Sequence, residues 1–84
     1  MEKVEIRNRP VSEMKWVHRP KERKELPEYY FLLQKERKFP YRNPDGSINL
    51  RLLRAAIVRA KQHGYEDVAR RAKALYEKYK GKEE

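Results

Sequence analysis

The residues best suited to chemistry in this sequence are the basic and aromatic side chains that alternate in residues 38–42, KFPYR. Cations of this kind contact phosphates and aromatic rings stack on unpaired bases, so the pattern is typical of nucleic-acid surfaces. It is also typical of a strand whose rings pack inward. Since a thin helical core needs apolar cover, the sequence favours Phe39 and Phe31 as core residues. Tyr41 and Arg42 remain candidates for outward contact.

A second set of basic residues lies in residues 50–63, where apolar residues follow helical spacing and no acidic residue occurs. Arg54 and Lys61 are seven residues apart and share one face of this predicted helix, with Arg51 beside them. Cations in such a row contact successive phosphates without reading base sequence. The predicted nucleic-acid-binding residues are therefore Lys38, Arg42, Arg51, Arg54, Arg59 and Lys61.

A second predicted helix, residues 66–80, differs from the first because several of its cations have acidic neighbours four residues away. These pairs are Glu66–Arg70, Asp67–Arg71 and Lys73–Glu77. Pairs at this spacing stabilise the surface of a helix by about 0.2–0.5 kcal/mol each. The pattern favours a face in contact with water over a contact surface.

The overall charge indicates a polyanionic partner. The 84 residues carry 22 Lys and Arg against 13 Asp and Glu, a net charge of +9. Such an excess favours DNA, RNA or another anionic surface. The sequence therefore predicts a small nucleic-acid-binding module whose affinity is mainly electrostatic. It leaves open the choice between DNA and RNA, and a role beside the ribosome.

The same sequence argues against catalysis. Cysteine is absent, and the two histidines, His18 and His63, stand far apart in different contexts. The three glycines and two serines form no phosphate-binding loop or nucleophile motif. We therefore predict no enzyme activity, no catalytic residue, no metal site and no cofactor.

Composition also bears on location. The sequence contains no apolar run of membrane-spanning length and no apolar leader, so we expect a cytoplasmic protein without a membrane partner. The abundance of Lys, Arg and Glu and the absence of Cys also suit a thermophile.

Prolines divide the chain into two parts, since all five lie in the first 46 residues. Proline disrupts helix interiors, so the first part is predicted to be extended or turned and the second helical. The predicted fold class is α+β and mostly α, with a short N-terminal β-hairpin and an extended segment packed on a C-terminal antiparallel two-helix hairpin. The β-hairpin is predicted from strands around Val4 and Ile6 and around Met14 and Trp16. Residues 18–25 are interpreted as a charged linker, and residues 27–33 fit a helical turn or, as we favour, an extended stretch.

Within a single domain spanning residues 1–84, three parts are expected: residues 1–28 (extended, with the hairpin), 29–46 (aromatic and basic, ending in a turn) and 47–81 (the helical hairpin). Residues 43–46, NPDG, fit a type I turn. Ser47 or Asn49 is suited to cap the first long helix, and Gly64 and Gly81 are suited to end the two helices.

Residues 29–80 resemble a small domain of unknown function found in phage and prophage proteins and in archaeal mobile elements. The shared pattern is an apolar pair, an Arg-Lys-aromatic-Pro segment, an Arg-Ala-Ala helix, a His-Gly corner and a basic second helix. Here these are residues 31–32, 37–41, 54–56, 63–64 and 68 onward. The resemblance implies a viral or mobile-element context and carries no mechanism.

An alternative function fits the same context, because some members of that family lie near or are fused to head proteins. It is a protein–protein interaction module in head assembly or in another mobile-element complex. The sequence feature in its favour is an aromatic surface larger than a small core needs. That surface would consist of Trp16, Tyr29, Tyr30 and Phe31.

Overall fold

The computed structural model of this protein describes residues 5–10, 12 and 14–81. In chain order its helices and strands are α1 (Pro20–Glu25), β1 (Phe31–Leu33), β2 (Lys38–Pro40), α2 (Leu50–Gln62) and α3 (Glu66–Lys80). Strands β1 and β2 pair antiparallel, and α2 and α3 pack against each other. The predicted fold class, mostly helical with a β-hairpin and a C-terminal helical hairpin, is confirmed.

Helix α2 begins directly after Asn49, the residue that caps it. The Oδ1 atom of Asn49 accepts hydrogen bonds from the backbone N–H of Arg51 at 2.9 Å and of Leu52 at 3.4 Å. The first turn of a helix leaves these donors without a partner, so the cap stabilises the start of α2. The helix ends at Gln62, one residue short of the predicted end, and Gly64 follows in the left-handed conformation with φ of 80°.

The main core lies where α2 and α3 face each other. Ala56 and Ala60 of α2 and Ala69 and Ala72 of α3 are buried there, together with Leu53, which is fully enclosed. Small side chains at the contact let two helix backbones approach closely. The apolar spacing predicted for residues 50–63 is therefore confirmed, and α3 supplies the face that covers it.

The β-hairpin lies further along the chain than predicted. Phe31 pairs with Pro40 and Leu33 pairs with Lys38, so residues 34–37 form the turn. Phe31 is only 1% exposed, which confirms its predicted place in the core. Phe39 is half-buried and has a φ of 59°, a left-handed conformation that costs a residue with a Cβ atom about 1–2 kcal/mol.

The described residues before position 20 do not pair with one another as β-strands. The hairpin predicted from Ile6 and Trp16 is therefore wrong in its position. Residues 5–7 instead pair with Ile48 through two backbone hydrogen bonds of 2.8 Å each. Trp16 lies in a turn of 3-10 helix at residues 15–18, and Val4 lies outside the described residues. An isolated two-stranded hairpin is marginal in water, whereas pairing with Ile48 places Ile6 against the main core.

Residues 18–25, predicted as a linker, contain the short helix α1, and this prediction is wrong. Pro20 occupies the first helical position, where its fixed φ is favourable and its missing N–H is not needed. Glu22 in the first turn and Arg23 in the last turn complement the helix dipole. Residues 27–33 combine the two alternatives, since a single 3-10 turn at Glu28–Tyr30 leads directly into β1.

A smaller apolar cluster holds the N-terminal part of the chain on α2. Met14 and Trp16 are buried against Leu52, with Val17 and Leu26 at the edge of the cluster. We call the described residues between 5 and 26 the N-terminal strap. The strap is thus attached to α2 through side chains near its middle and to Ile48 through backbone bonds near its beginning.

Two buried asparagines join the strap, the turn at residues 43–46 and α2. The amide of Asn49 donates to the carbonyl of Arg9 at 3.1 Å and to Oδ1 of Asn43 at 3.0 Å. The amide of Asn43 donates to the carbonyl of Arg7 at 2.9 Å and to the Ser47 hydroxyl at 2.8 Å. Buried amides require such partners, so this network fixes where the strap crosses the start of α2.

The predicted turn at residues 43–46 is confirmed, because the N–H of Gly46 donates to the carbonyl of Asn43 at 2.8 Å. The Ser47 hydroxyl donates to Oδ1 of Asp45 at 2.5 Å and thereby lowers the pKa of this carboxyl. The backbone N–H of Ser47 and the guanidinium of Arg7, 3.0 Å away, lower that pKa further, while partial burial opposes them. The turn therefore holds an ionised aspartate that ties it to the strap.

We expect Gly64→Ala to lower the free energy of unfolding by about 1–2 kcal/mol, and Gly46→Ala by about 1 kcal/mol more. Both glycines have positive φ, 80° and 91°, which strains alanine. A Cβ atom at Gly64 meets no described atom within 4 Å, whereas one at Gly46 lies 3.0 Å from the Tyr30 hydroxyl. Urea unfolding followed by circular dichroism measures both. Gly81→Ala is the control, since φ there is −80°, and equal losses at Gly46 and Gly64 would contradict the steric contact.

Candidate functional site

The outward face of α2 carries a row of three cations. Arg51, Arg54 and Lys61 are all exposed, and helical geometry places them on one side over about 15 Å of the helix axis. Val58 lies among them and is 55% exposed. None of the ion pairs within the described part of the chain involves these three residues. We call Arg51, Arg54 and Lys61 the cationic row.

Two other residues predicted to bind nucleic acid, Lys38 of β2 and Arg59 of α2, do not belong to the cationic row. Arg59 is about 160° around the helix from Lys61, since each residue turns the helix by about 100°. Together with Lys38 it lines a cavity of about 450 Å³ between α2 and β2. We call this the α2–β2 cavity. The six predicted residues are therefore not one continuous site.

The α2–β2 cavity has an apolar floor and an aromatic wall. Leu52, Ala55 and Ala56 of α2 form the floor. The rings of Phe39 and Tyr65 meet edge to face, with their centroids 5.5 Å apart and their planes at 69°. Phe39 is thus partly in the core, as predicted, and partly in the cavity wall. An aromatic residue with positive φ is uncommon, and such strain is concentrated at functional sites.

Cations surround the same cavity. Its basic lining residues are Arg23, Lys38, Arg59 and His63, and none of the described lining residues is acidic. A cleft lined by one sign of charge concentrates counter-ions from solution. The cavity therefore suits an anion that also carries an apolar or aromatic body.

One wall of the cavity is fixed by two arginines that clasp α1 to the turn of the β-hairpin. The Arg23 guanidinium donates to the carbonyl of Arg37 and lies 5.4 Å from the centroid of Phe31. Arg37 donates to the carbonyl of Leu26 and lies 6.0 Å from the same ring. Burial lowers the pKa of Arg23, although an arginine stays charged in such surroundings. This clasp sets the distance between the strap and the hairpin.

Arg42 is the predicted site residue that the structure places elsewhere. Its Nη1 atom donates to the carbonyl of Gly46 at 2.8 Å, and the side chain is half-buried. The guanidinium also lies 5.5 Å from the ring of Tyr29 and 5.3 Å from that of Tyr41. Because these contacts hold it against the turn, we leave Arg42 out of the candidate surface.

Among the basic and aromatic residues that line the cavity, Arg23, His63 and Tyr65 were not predicted from the sequence. His63 directly follows the last residue of α2. Tyr65 follows the Gly64 corner, and its N–H donates to the carbonyl of Ala60 at 2.8 Å, so its position beside the end of α2 could have been inferred. The position of Arg23 could not have been inferred, because it depends on contacts with the distant hairpin turn.

Helix α3 does not form the predicted ion pairs. Within its described residues the observed pair is Lys80 with Glu77, three residues apart at 2.7 Å. Arg71 donates instead to the carbonyl of Leu32 at 2.7 Å and so joins α3 to β1. Arg70 and Lys73 remain exposed on α3, which makes them a natural reference for the cations of α2.

The aromatic surface that favoured a protein–protein module is largely absent. Trp16, Tyr30 and Phe31 are 9%, 8% and 1% exposed, and only Tyr29 of the four reaches solvent, at 53%. Three of the four rings are therefore used by the core. This removes most of the observation that favoured the protein–protein alternative.

Metal and membrane chemistry find no support in the described residues. No three of their histidine, aspartate or glutamate side chains are grouped so that they could hold a metal ion. None of the helices described above is both long enough and apolar enough to cross a bilayer. The described site therefore consists of cations, aromatic rings and an apolar floor.

Comparison with known proteins identified no match. No protein-family model, curated protein or solved structure matches the chain significantly. The resemblance of residues 29–80 to a phage domain thus stays a prediction. The functional argument depends on the cationic row and the α2–β2 cavity.

Proposed function

We propose that this protein is a small nucleic-acid-binding module that contacts phosphates mainly through charge. The cationic row is the contact surface, and Lys38 and Arg59 add positive charge at the separate α2–β2 cavity. The observation that supports the proposal is that α2 carries exposed cations and no acidic residue. Its charge is therefore available to an external anion.

The spacing of the row suits a phosphate backbone. Arg51 and Arg54 are about one helical turn apart, and Lys61 follows about 10 Å further along the axis. Side chains of this length can adjust to the phosphates of a flexible or a duplex strand. Contacts of this kind position a protein on nucleic acid without reading sequence.

The test is an anisotropy titration with fluorescent single-stranded DNA, duplex DNA and structured RNA at about 50 and 200 mM salt. Three phosphate contacts of the cationic row predict that affinity for duplex DNA falls about 40-fold between these two concentrations, and affinity for a single strand about 20-fold. Arg54→Gln with Lys61→Gln should weaken binding and reduce the salt slope by about 2. Both residues are exposed, so the folded state should be unaffected.

The matched control is Arg70→Gln with Lys73→Gln, which removes the same charge from the exposed face of α3. This variant should bind nearly as tightly as the natural protein. Equal losses in the two variants would mean that net charge alone is responsible. Absence of binding at 50 mM salt, or binding insensitive to salt, would overturn the proposal.

A further inference from the structure

We propose that the α2–β2 cavity receives one unpaired nucleotide of a single-stranded nucleic acid. This inference deepens the proposed function and depends on it. It assigns the cavity a ligand class and predicts a preference for single strands over duplexes. It also separates two surfaces on one helix, since the cationic row contacts backbone and the cavity contacts a base.

The shape and lining of the cavity support this choice of ligand. A volume of about 450 Å³ lies within the range of sites that hold small organic molecules, about 300–1,000 Å³. A base is flat and largely apolar on its faces, which suits a floor of Ala55 and Ala56 beside the rings of Phe39 and Tyr65. Tyr65 is 38% exposed, so its ring is accessible to a ligand from outside.

Charge supports the nucleotide over an uncharged aromatic ligand. Lys38 and Arg59 are exposed residues of the cavity lining, and no acidic residue is among the described residues that line it. Cations beside a base pocket are placed to contact the phosphates on either side of a base. In a duplex the bases are stacked and paired, so a duplex presents phosphates to the cationic row and leaves the cavity empty.

The strain at Phe39 is consistent with this role. Its φ of 59° is a left-handed conformation that glycine or asparagine adopts more readily. In that conformation its half-buried ring packs against the core and contacts Tyr65 at the cavity. A conformation of this kind persists only where the surroundings enforce it, as Arg23 and Arg37 do for the adjacent turn.

The experiment compares four fluorescent probes of ten nucleotides: oligo-dT, oligo-U, a dT duplex with dA, and an abasic strand with the same phosphates. The natural protein should bind oligo-dT or oligo-U at least tenfold more tightly than the abasic strand. Ala55→Leu fills the cavity from its floor without changing charge. It should reduce the preference for the base-containing strand to below threefold and leave duplex binding unchanged.

A second variant covers the case in which Ala55→Leu disturbs the fold. Arg59→Gln, at an exposed cavity residue, should weaken oligo-dT more than the duplex, and Lys61→Gln, on the outward face of the same helix, should weaken both equally. Circular dichroism checks that each variant is folded. A polyglutamate peptide of equal charge should displace the abasic strand at a concentration at least tenfold lower than the one that displaces oligo-dT.

The outcomes separate this inference from the proposed function. If all four probes bind equally and the cavity variants behave like Lys61→Gln, phosphate binding stands and the nucleotide pocket is wrong. Displacement of oligo-dT and of the abasic strand at the same polyglutamate concentration also overturns the pocket, since charge alone would then explain binding. If no probe binds at low salt, both proposals fail together.

Discussion

Asn49→Ala is expected to lower the free energy of unfolding by about 3 kcal/mol. The Oδ1 atom of Asn49 caps α2, and loss of a cap costs about 1 kcal/mol. Its amide also donates hydrogen bonds to Oδ1 of Asn43 and to the carbonyl of Arg9. Leaving buried acceptors without a hydrogen bond costs about 1–3 kcal/mol. A domain of this length has a total stability of about 4–13 kcal/mol, so this loss is a large share.

Asn49→Ser distinguishes the two contributions. A serine hydroxyl can cap the helix but cannot reach the acceptors that the amide serves, so we expect a loss of about 2 kcal/mol. Urea unfolding followed by circular dichroism measures both variants. Equal losses for serine and alanine would show that the cap contributes nothing. A loss below about 1 kcal/mol for alanine would mean that the buried amide network does not stabilise the fold.

Trp16→Ala is expected to cost about 3–5 kcal/mol and to release the strap from α2. Trp16 is 9% exposed and packs with Met14 and Leu52, so its removal opens a hole in the smaller apolar cluster. Hydrogen exchange should show faster exchange at Val17 and Arg19, whose N–H groups bond within the strap. Amide exchange within α3, which packs on the main core, should change only as much as the change in the global free energy of unfolding requires.

The conservative control is Trp16→Phe. The Nε1 atom of Trp16 is buried without a protein partner among the described residues, so phenylalanine removes no hydrogen bond. We therefore expect a loss below about 1.5 kcal/mol. If phenylalanine costs as much as alanine, the indole N–H has a role that its surroundings do not explain. If alanine costs little, the strap is not held by this cluster.

Much of the fold could be predicted because its signals are local. Ser47 or Asn49 was predicted to cap α2, and Asn49 does so. Gly64 predicted the corner, and residues 43–46 predicted a turn that the Gly46 N–H closes. Caps, glycine corners and apolar spacing each act within a few residues. Helices α2 and α3 were therefore predicted within one residue of their bounds, whereas the short helix α1 was not predicted.

The strap and the cavity could not be predicted in the same way. The pairing of Ile6 with Ile48 joins residues 42 positions apart, and nothing in either segment specifies the other. The cavity needs three segments at once: Arg23 from α1, Phe39 from β2 and Arg59 from α2. Lys38 and Arg59 stay predicted binding residues: Lys38 alternates with aromatic rings, and Arg59 lies in a segment without acidic residues.

The way the strap is attached also sets an order of events during synthesis. The strap is made before its partners Asn43, Ile48 and Asn49, which follow about 36–42 residues later in the chain. At about 5–20 residues per second, the ribosome needs roughly 2–8 s to supply them. Contacts across such a separation carry a larger loop-closure entropy than those of the two hairpins, which close locally. The strap is therefore synthesised before its partners, and we expect it to dock on α2 and Ile48 after both hairpins have formed.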